Sequence, residues 1–366
     1  MRKNSGEVIA LQSKQAVRLD TRDAAIMNIL ALNSRTPLSQ IAGFLRLSTE
    51  NVRYRYERLR SSNIITDAFA VIKPRSLGIH LYVVYVQLKA ISQERLRQLI
   101  QRVLKHKHVN WVIETGGKWE LVFMVETVYE EKFSTILHDI LSPSGQYISD
   151  SLVTVITAFE HAPPRYVPGF KAQEEYKNKI QFPYARQFQA PHQTMYLDKA
   201  DILIAQLLHQ NARMSLVDIA KKVGLSADSV HNRIKKLVSA GVVSMFILRL
   251  NYHLLGMQYN SIMIKFTTVN RRKEFFAYVK EDVRFFGLLE QLGPWDVSLM
   301  MFFASPSELR NFLLDIKEKF SDLISSYETV LLFNQYHFTY LCDGVVEELL
   351  EQAKKKVLVT KTFITQ

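Results

Sequence analysis

Cysteine is almost absent from this chain. The one it has, Cys342, excludes an internal disulfide framework and any thiolate-rich zinc site. Glycine and proline are also sparse, 13 and 10 in 366 residues, which excludes collagen-like and low-complexity chains. No hydrophobic run is long. The longest, Val297–Ala304 interrupted by Ser298, is far short of the ~20 residues a membrane helix needs. The opening MRKNSGEVIALQSK has no apolar core of signal-peptide length. These absences point to a soluble cytoplasmic protein with no membrane partner. What is present is 48% apolar residues, enough to fill the cores of two or three domains.

The net charge of +12 is unevenly placed. Residues 1–75 hold 13 basic against 6 acidic side chains, while 76–160 hold 8 against 9. Residues 161–196 are again basic (5 against 2), as are 197–252 (8 against 4). Residues 253–340 return to balance at 9 against 10. Basic charge confined to separate blocks suggests modules that face a polyanion, and double-stranded DNA is the expected one.

The alternation reflects an internal repeat. A shift of 178 places Leu19–Ile65 on Leu197–Val243 without a gap, with 16 of 47 positions identical. Each copy reads as three short helices. Asp20 and Asp198 are N-caps ahead of apolar stripes (Ile26, Ile29, Leu30; Ile204, Leu207, Leu208). Second helices are expected at Leu38–Leu45 and Leu216–Val223. Ser48 and Ser226 cap a third, whose inner sides are Val52, Tyr56, Leu59 and Val230, Ile234, Leu237. This is a helix-turn-helix, and the β-prone runs that follow, Ile64–Ile72 and Val242–Leu250, are expected to supply a wing hairpin. Gly224 occupies the turn before the third helix in the second copy. Arg46 stands there in the first, at a cost of roughly 1 kcal/mol if its φ is positive.

On the third helices the candidate DNA contacts are Ser48, Thr49, Asn51, Arg53, Tyr54, Arg55 and Arg58, with Arg60 nearby, and Ser226, Ser229, His231, Asn232, Arg233, Lys235 and Lys236. Residues near the start of such a helix reach base edges, and Lys or Arg further along reaches phosphate. A charged helix face can also be merely solvated; the basic blocks and the three-helix pattern favour DNA.

The neutral stretches each alternate strand and helix signals in the order βαββαβ, a ferredoxin-like arrangement. In the first copy the elements fall at Leu81–Lys89, Ser92–Lys105, Val109–Glu114, Trp119–Glu126, Val128–Leu141 and Ser151–Phe159. In the second they fall at Ser261–Thr268, Arg271–Glu281, Val283–Gln291, Trp295–Ala304, Ser305–Phe320 and Tyr327–Phe338. Ser305-Pro306-Ser307-Glu308 is a capping box with proline at the first helical position. The central turns, Gly117-Lys118-Trp119-Glu120 and Gly293-Pro294-Trp295-Asp296, are either tight hairpins with a packed indole or ligand clamps.

These residues resemble the Lrp/AsnC family, the feast/famine regulators of archaea and bacteria. The resemblance rests on Leu-Asp before helix one, then Ile219-Ala220, Gly224-Leu225-Ser226, Val230, Arg233-Ile234, Leu237 and Gly241-Val242-Val243. The first copy answers with Ile41-Ala42, Leu47-Ser48, Val52, Arg55, Leu59 and Ile64-Ile65, and Leu77-Gly78 and Leu255-Gly256 lead into the second domains. It covers about 300 of 366 residues, twice over, although Glu120 replaces the usual Asp and most relatives have one copy per chain. The resemblance implies an α+β chain with two winged helix-turn-helix domains (19–75, 197–252) alternating with two βαββαβ domains (76–160, 253–340). A tail (1–18), a linker (161–196) and a C-terminal segment (341–366) complete it. In that last segment a helix over 345–356 and an alternating edge strand or frayed tail over Val357–Ile364 are expected.

The resemblance further implies a transcriptional regulator, not an enzyme, with an intramolecular pseudo-dimer and further homo-oligomers. An amino acid or similar small effector would bind at Gly117, Trp119, Glu120, Gly293, Trp295 and Asp296. The two helix-turn-helices would read unlike half-sites about one helical turn, ~34–36 Å, apart. No cofactor, catalytic residue or metal site is expected; His106 and His108 have H-x-H spacing but no companion ligands and are expected at the surface. Two rival readings stand. One is a sirohaem-decarboxylase-like enzyme of the same architecture, with His80 and His253 as candidates. The other is a ligand-sensing interaction protein that does not read DNA.

Overall fold

A computed structural model describes residues 19–163, 165 and 195–364, with 356–364 described by backbone alone. The expected tail (1–18) and most of the linker lie outside these residues. The first helix-turn-helix comprises α1 (Thr21–Leu32), α2 (Leu38–Leu45) and α3 (Thr49–Ser61). Asp20 accepts from Asp23 N–H, while the Asp23 carboxylate accepts from Asp20 N–H, a reciprocal cap. Ser48 accepts from Asn51 N–H and starts α3. The second unit repeats this with α6 (Lys199–Gln210), α7 (Leu216–Val223) and α8 (Ala227–Ser239), capped by Asp198, Ser215 and Ser226.

The turn position that differs between copies has one shape. Arg46 sits at φ 53, ψ 46 and Gly224 at φ 71, ψ 36, and Leu47 and Leu225 close the same bond onto Ala42 and Ala220. A side chain in the left-handed region is strained where glycine is not, so Arg46→Gly is expected to stabilise the protein by about 0.5 kcal/mol, net of glycine's extra unfolded-state entropy. The denaturant midpoint reads this directly, and a lowered midpoint would show that the Arg46 side chain makes a contact worth more than its strain.

The strand following each unit departs from expectation. Neither copy forms its own wing hairpin: β1 (Ile65–Ile72) pairs antiparallel with β6 (Val243–Leu250) of the other copy, in a two-stranded ribbon. Both runs are apolar on two faces, and one copy offers neither a partner strand nor a tight turn for its own. The exchange obeys a pseudo-two-fold axis. Ser34 N–H donates to Phe246 C=O, and Ala212 N–H, 178 residues on, donates to Ala68 C=O. Arg35 reaches the carbonyls of Ala212 and Met214, while Arg213 reaches those of Ser34 and Thr36. One chain thus makes the isologous contact that a homodimer makes with two.

The βαββαβ units close together. The first has β2 (His80–Leu88), α4 (Gln93–Lys105), β3 (Val109–Gly116), β4 (Leu121–Thr127), α5 (Phe133–Leu141) and β5 (Ile148–His161). The second has β7 (Gln258–Phe266), α9 (Arg272–Glu281), β8 (Phe285–Leu292), β9 (Val297–Phe303), α10 (Pro306–Lys319) and β10 (Ile324–Phe338). In the α10 cap, Ser305 accepts from Glu308 N–H as expected, but the Glu308 carboxylate accepts from Ala304 N–H. Each sheet runs β5-β2-β4-β3 or β10-β7-β9-β8, the fourth-first-third-second order of a ferredoxin-like unit. The long fourth strands then bridge, β5 to β8 and β10 to β3, and all eight strands form one closed barrel.

Strand alternation divides its residues between two cores. Along β4, Leu121, Phe123 and Val125 pack outward beneath α4 and α5, while Val122 and Met124 belong to the separate, inner cluster. Closure leaves the barrel itself without a free edge. Accordingly Val357–Ile364, expected as an edge strand or frayed tail, is instead helical, the end of α11 (Asp343–Ile364).

Candidate DNA-binding face and barrel cavity

The outer face of α3 presents Asn51, Arg53 and Tyr54, the last 68% exposed, and that of α8 presents His231, Asn232 and Lys235. Thr49 and Ser229 are half-buried at the helix starts, and Ser48 and Ser226 are exposed caps. The arginines shared by the two copies are employed otherwise. Arg55 Nη1 lies 2.6 Å from Asp20 and 2.8 Å from Asp23, and its Nε donates to Asn51. Arg233 Nη1 lies 2.7 Å from Asp198 and 2.6 Å from Asp201. Arg58 also pairs with Asp23, and Lys236 stands 3.4 Å from Asp201. Burial alone would raise the Asp198 carboxyl, but the Asp201 N–H and Arg233 hold it below the usual carboxylate range. These side chains clamp the third helix onto the capped start of the first. Arg55 and Arg233, expected among the DNA contacts, are held in these ion pairs in both copies.

The hairpin residues are likewise packing elements. Gly117 takes φ 108, and Trp119 and Trp295 are both 4% exposed. Their rings lie 5.9 and 5.2 Å from Tyr85, and the Trp295 indole N–H donates to Glu328. Glu120 accepts from Leu88 N–H and Asp296 from Phe266 N–H, each at 2.8 Å, so both acids seal the end of a first strand. Gly117, Trp119, Glu120, Gly293, Trp295 and Asp296, the expected effector residues, thus form two matching hairpins, each with its indole packed against Tyr85 and its acid bonded to a first strand.

A cavity of about 140 Å³ lies elsewhere, between the ribbon and one mouth of the barrel. Phe69, Arg249, Glu126, His161, Tyr340 and His253 are among its lining. His253 was a sequence candidate; His80, its proposed companion, is exposed on β2. The sequence signal for the rest was a charged residue in an otherwise apolar strand, as Glu126 is in Leu121–Thr127 and Arg249 in Phe246–Leu250. Arg249 stands 3.3 Å from Asp67 and lies over the rings of Phe69 and Phe338. Burial pushes the Glu126 carboxyl up to about 8, against the Asn110 side chain and Cys342 N–H. Burial holds the His161 ring down to about 4. His108, expected at the surface, is buried, its Nδ1 against Glu126 C=O and its Nε2 3.8 Å from Glu348. Among the described residues no group of three or more His, Cys, Asp or Glu could hold a metal ion, and no helix is long and apolar enough to cross a membrane.

The pattern of the AsnC-type helix-turn-helix domain matches residues 197–238, and that of a winged helix-turn-helix DNA-binding domain matches 19–66. An HTH-type transcriptional regulator of Pyrococcus abyssi is 28% identical over 117 residues, covering 32% of this chain and 80% of that protein. The HTH-type transcriptional regulator FL11 of Pyrococcus furiosus is 26% identical over 127 residues, 35% of this chain and 83% of its own. Its second helix-turn-helix is of the AsnC type and its first of the winged DNA-binding type. Each relative matches a third of this chain with four-fifths of its own length, so each is about one repeat long. The full two-repeat architecture is similar in fold to the crystal structure of the siroheme decarboxylase NirDL. That likeness has TM-score 0.59 and 11% identity, covering 92% of this chain and 99% of that one. The chain therefore joins two DNA-binding-type helix-turn-helices to one shared barrel.

Proposed function

We propose that the protein is a sequence-specific transcriptional regulator in which one chain reads two adjacent, unlike half-sites on double-stranded DNA. The observation that carries this reading is the division of labour on α3 and α8. Their inner and clamping residues are the same or alike in both copies, whereas the exposed faces differ: Arg53 and Tyr54 against His231 and Asn232. Two surfaces that diverge over a shared scaffold suit two different base sequences. Each Arg or Asn contact with a base edge would contribute about 1–3 kcal/mol of discrimination.

The test is titration of the chain's own upstream DNA and of unrelated DNA across a salt series. Specific binding should fall steeply with salt. Arg53→Ala should relax base preference in one half-site and Asn232→Ala in the other. Lys235→Ala should weaken binding to all sequences and reduce the salt slope by about 1. Identical base preferences in both half-sites would sink the reading, as would equal affinity for unrelated DNA.

The decarboxylase likeness gives a second reading less support. A 140 Å³ cavity is small beside the roughly 300–1,000 Å³ of pockets that enclose drug-sized ligands, and a tetrapyrrole is larger than those. The regulator reading leaves that cavity open to a smaller molecule.

A further inference from the structure

The cavity between the ribbon and the barrel carries an unusual set of unpaired groups. Among the described residues Glu126 Oε1, Asn110 Oδ1 and the Tyr340 hydroxyl are buried without a hydrogen-bond partner, although the Asn110 side chain faces the Glu126 carboxyl, and all three residues line this one space. They are 0, 3 and 1% exposed. An unpaired polar atom in an apolar interior is unfavourable, so three around one small space are a condition that a single ligand can relieve together.

Their chemistry narrows the ligand. A carboxylate oxygen, an amide oxygen and a phenol oxygen can each accept from N–H, and a primary ammonium offers three donors. Among the charged and titratable groups nearby, Arg249 is the fixed cation, and its field reaches His161, His209 and Tyr340. Arg249, on β6, is engaged by Asp67 of β1 and by two aromatic faces. His161 of β5 and His209 of α6 are held neutral by burial, and His209 is bonded at both ring nitrogens, to Ala70 C=O and Tyr340 N–H. The Cys342 thiol is pushed well up and stays protonated. Phe69, Trp111, Phe159, Tyr259 and Phe302 provide apolar wall. A cavity of this size admits a body about as large as benzene.

We propose that this cavity binds a small aromatic or aliphatic primary amine, with its ammonium held by Glu126, Asn110 and Tyr340 and its apolar body among the surrounding rings. The site is separate from the Trp119 and Trp295 hairpins, and its occupancy does not depend on the DNA-binding reading. In the empty cavity Glu126 is a neutral acid at pH 7; an incoming ammonium favours its carboxylate, so binding transfers the Glu126 proton to solvent.

The test is calorimetric titration of the full chain with benzylamine and isopentylamine, alongside benzyl alcohol and benzoate as controls of similar size. Benzylamine should bind saturably, at least tenfold tighter than benzyl alcohol, and benzoate should not bind. Heats measured in buffers of different ionisation enthalpy should report close to one proton released at pH 7. Tyr340→Phe, which removes only an unpaired hydroxyl, should stay folded and bind benzylamine about tenfold more weakly. Glu126→Gln should abolish the proton release. Preference for benzoate or for the alcohol would overturn the proposal, as would failure of both amines to bind wild-type protein at about 10 mM, where even a weak specific site is occupied.

Discussion

Glu126→Gln should flatten the alkaline side of the protein's stability profile and make the variant more stable than wild type at pH 8 by several kcal/mol, the scale set by its displaced carboxyl. In the folded chain burial holds Glu126 protonated up to about 8, against 4.5 when the chain is open. Across that interval the folded state binds the extra proton, so stability is greatest below the lower value and declines as pH rises towards the upper one. The decline is about 1.4 kcal/mol per pH unit. Five histidines act in the opposite sense: burial lowers His106, His253 and His337, and most strongly His161 and His209. His161 and His209 are held down to about 4 by burial, so their contribution is present above 6.5 and lost as pH falls towards 4. Above pH 6.5 the histidines are neutral in both states and Glu126 acts without them. Wild-type stability should therefore peak near pH 6.5 and fall by about 2 kcal/mol by pH 8. Glutamine reproduces the neutral carboxyl, so the variant should show the acid limb alone. Urea denaturation at pH 5.5, 6.5 and 8 measures this, and a wild-type profile flat from 6.5 to 8 would refute it.

The same residue marks where sequence reasoning ends. The repeat, helix caps and strand order were legible because each is local: Asp20, Ser48 and Ser226 cap helices three residues away, and the βαββαβ order follows from short-range periodicity. The left-handed turn at Arg46 was legible for the same reason, by comparison with Gly224. The β1–β6 exchange and barrel closure were not. They join residues more than a hundred positions apart, and an apolar strand does not announce which partner it will take. The cavity depends on both. Glu126 meets Tyr340 only after β10 has paired with β3, and Arg249 reaches the barrel mouth only because β6 lies across β1. In the helix-turn-helices the charges were legible but not their partners. The sequence shows a basic third helix, while the distances show that part of that charge is directed inward at Asp23 and Asp201.

Arg233→Met should destabilise the protein by about 3 kcal/mol, because it strips a buried carboxylate of its nearest cation. Asp201 is fully buried, and the Arg233 guanidinium is 2.6 Å from it. Once that is gone, only Lys236 remains, at 3.4 Å and largely exposed. Arg55→Met in the first copy should cost less, since Arg58 stays in close contact with Asp23. The order of the two losses therefore tests the geometry as well as the presence of the clamp. Adding Asp201→Asn to Arg233→Met should recover part of the loss, because no uncompensated charge is then left inside. Lys235→Ala, two residues on and on the exposed face, should leave the denaturation midpoint within about 0.5 kcal/mol of wild type while weakening DNA binding. If Arg233→Met instead kept the midpoint and lost DNA, Arg233 would belong to the DNA-contacting face, and the ion pairs with Asp198 and Asp201 would not hold in solution. The two measurements on one variant thus separate scaffold from contact, which is the distinction that the repeated arginine conceals in the sequence.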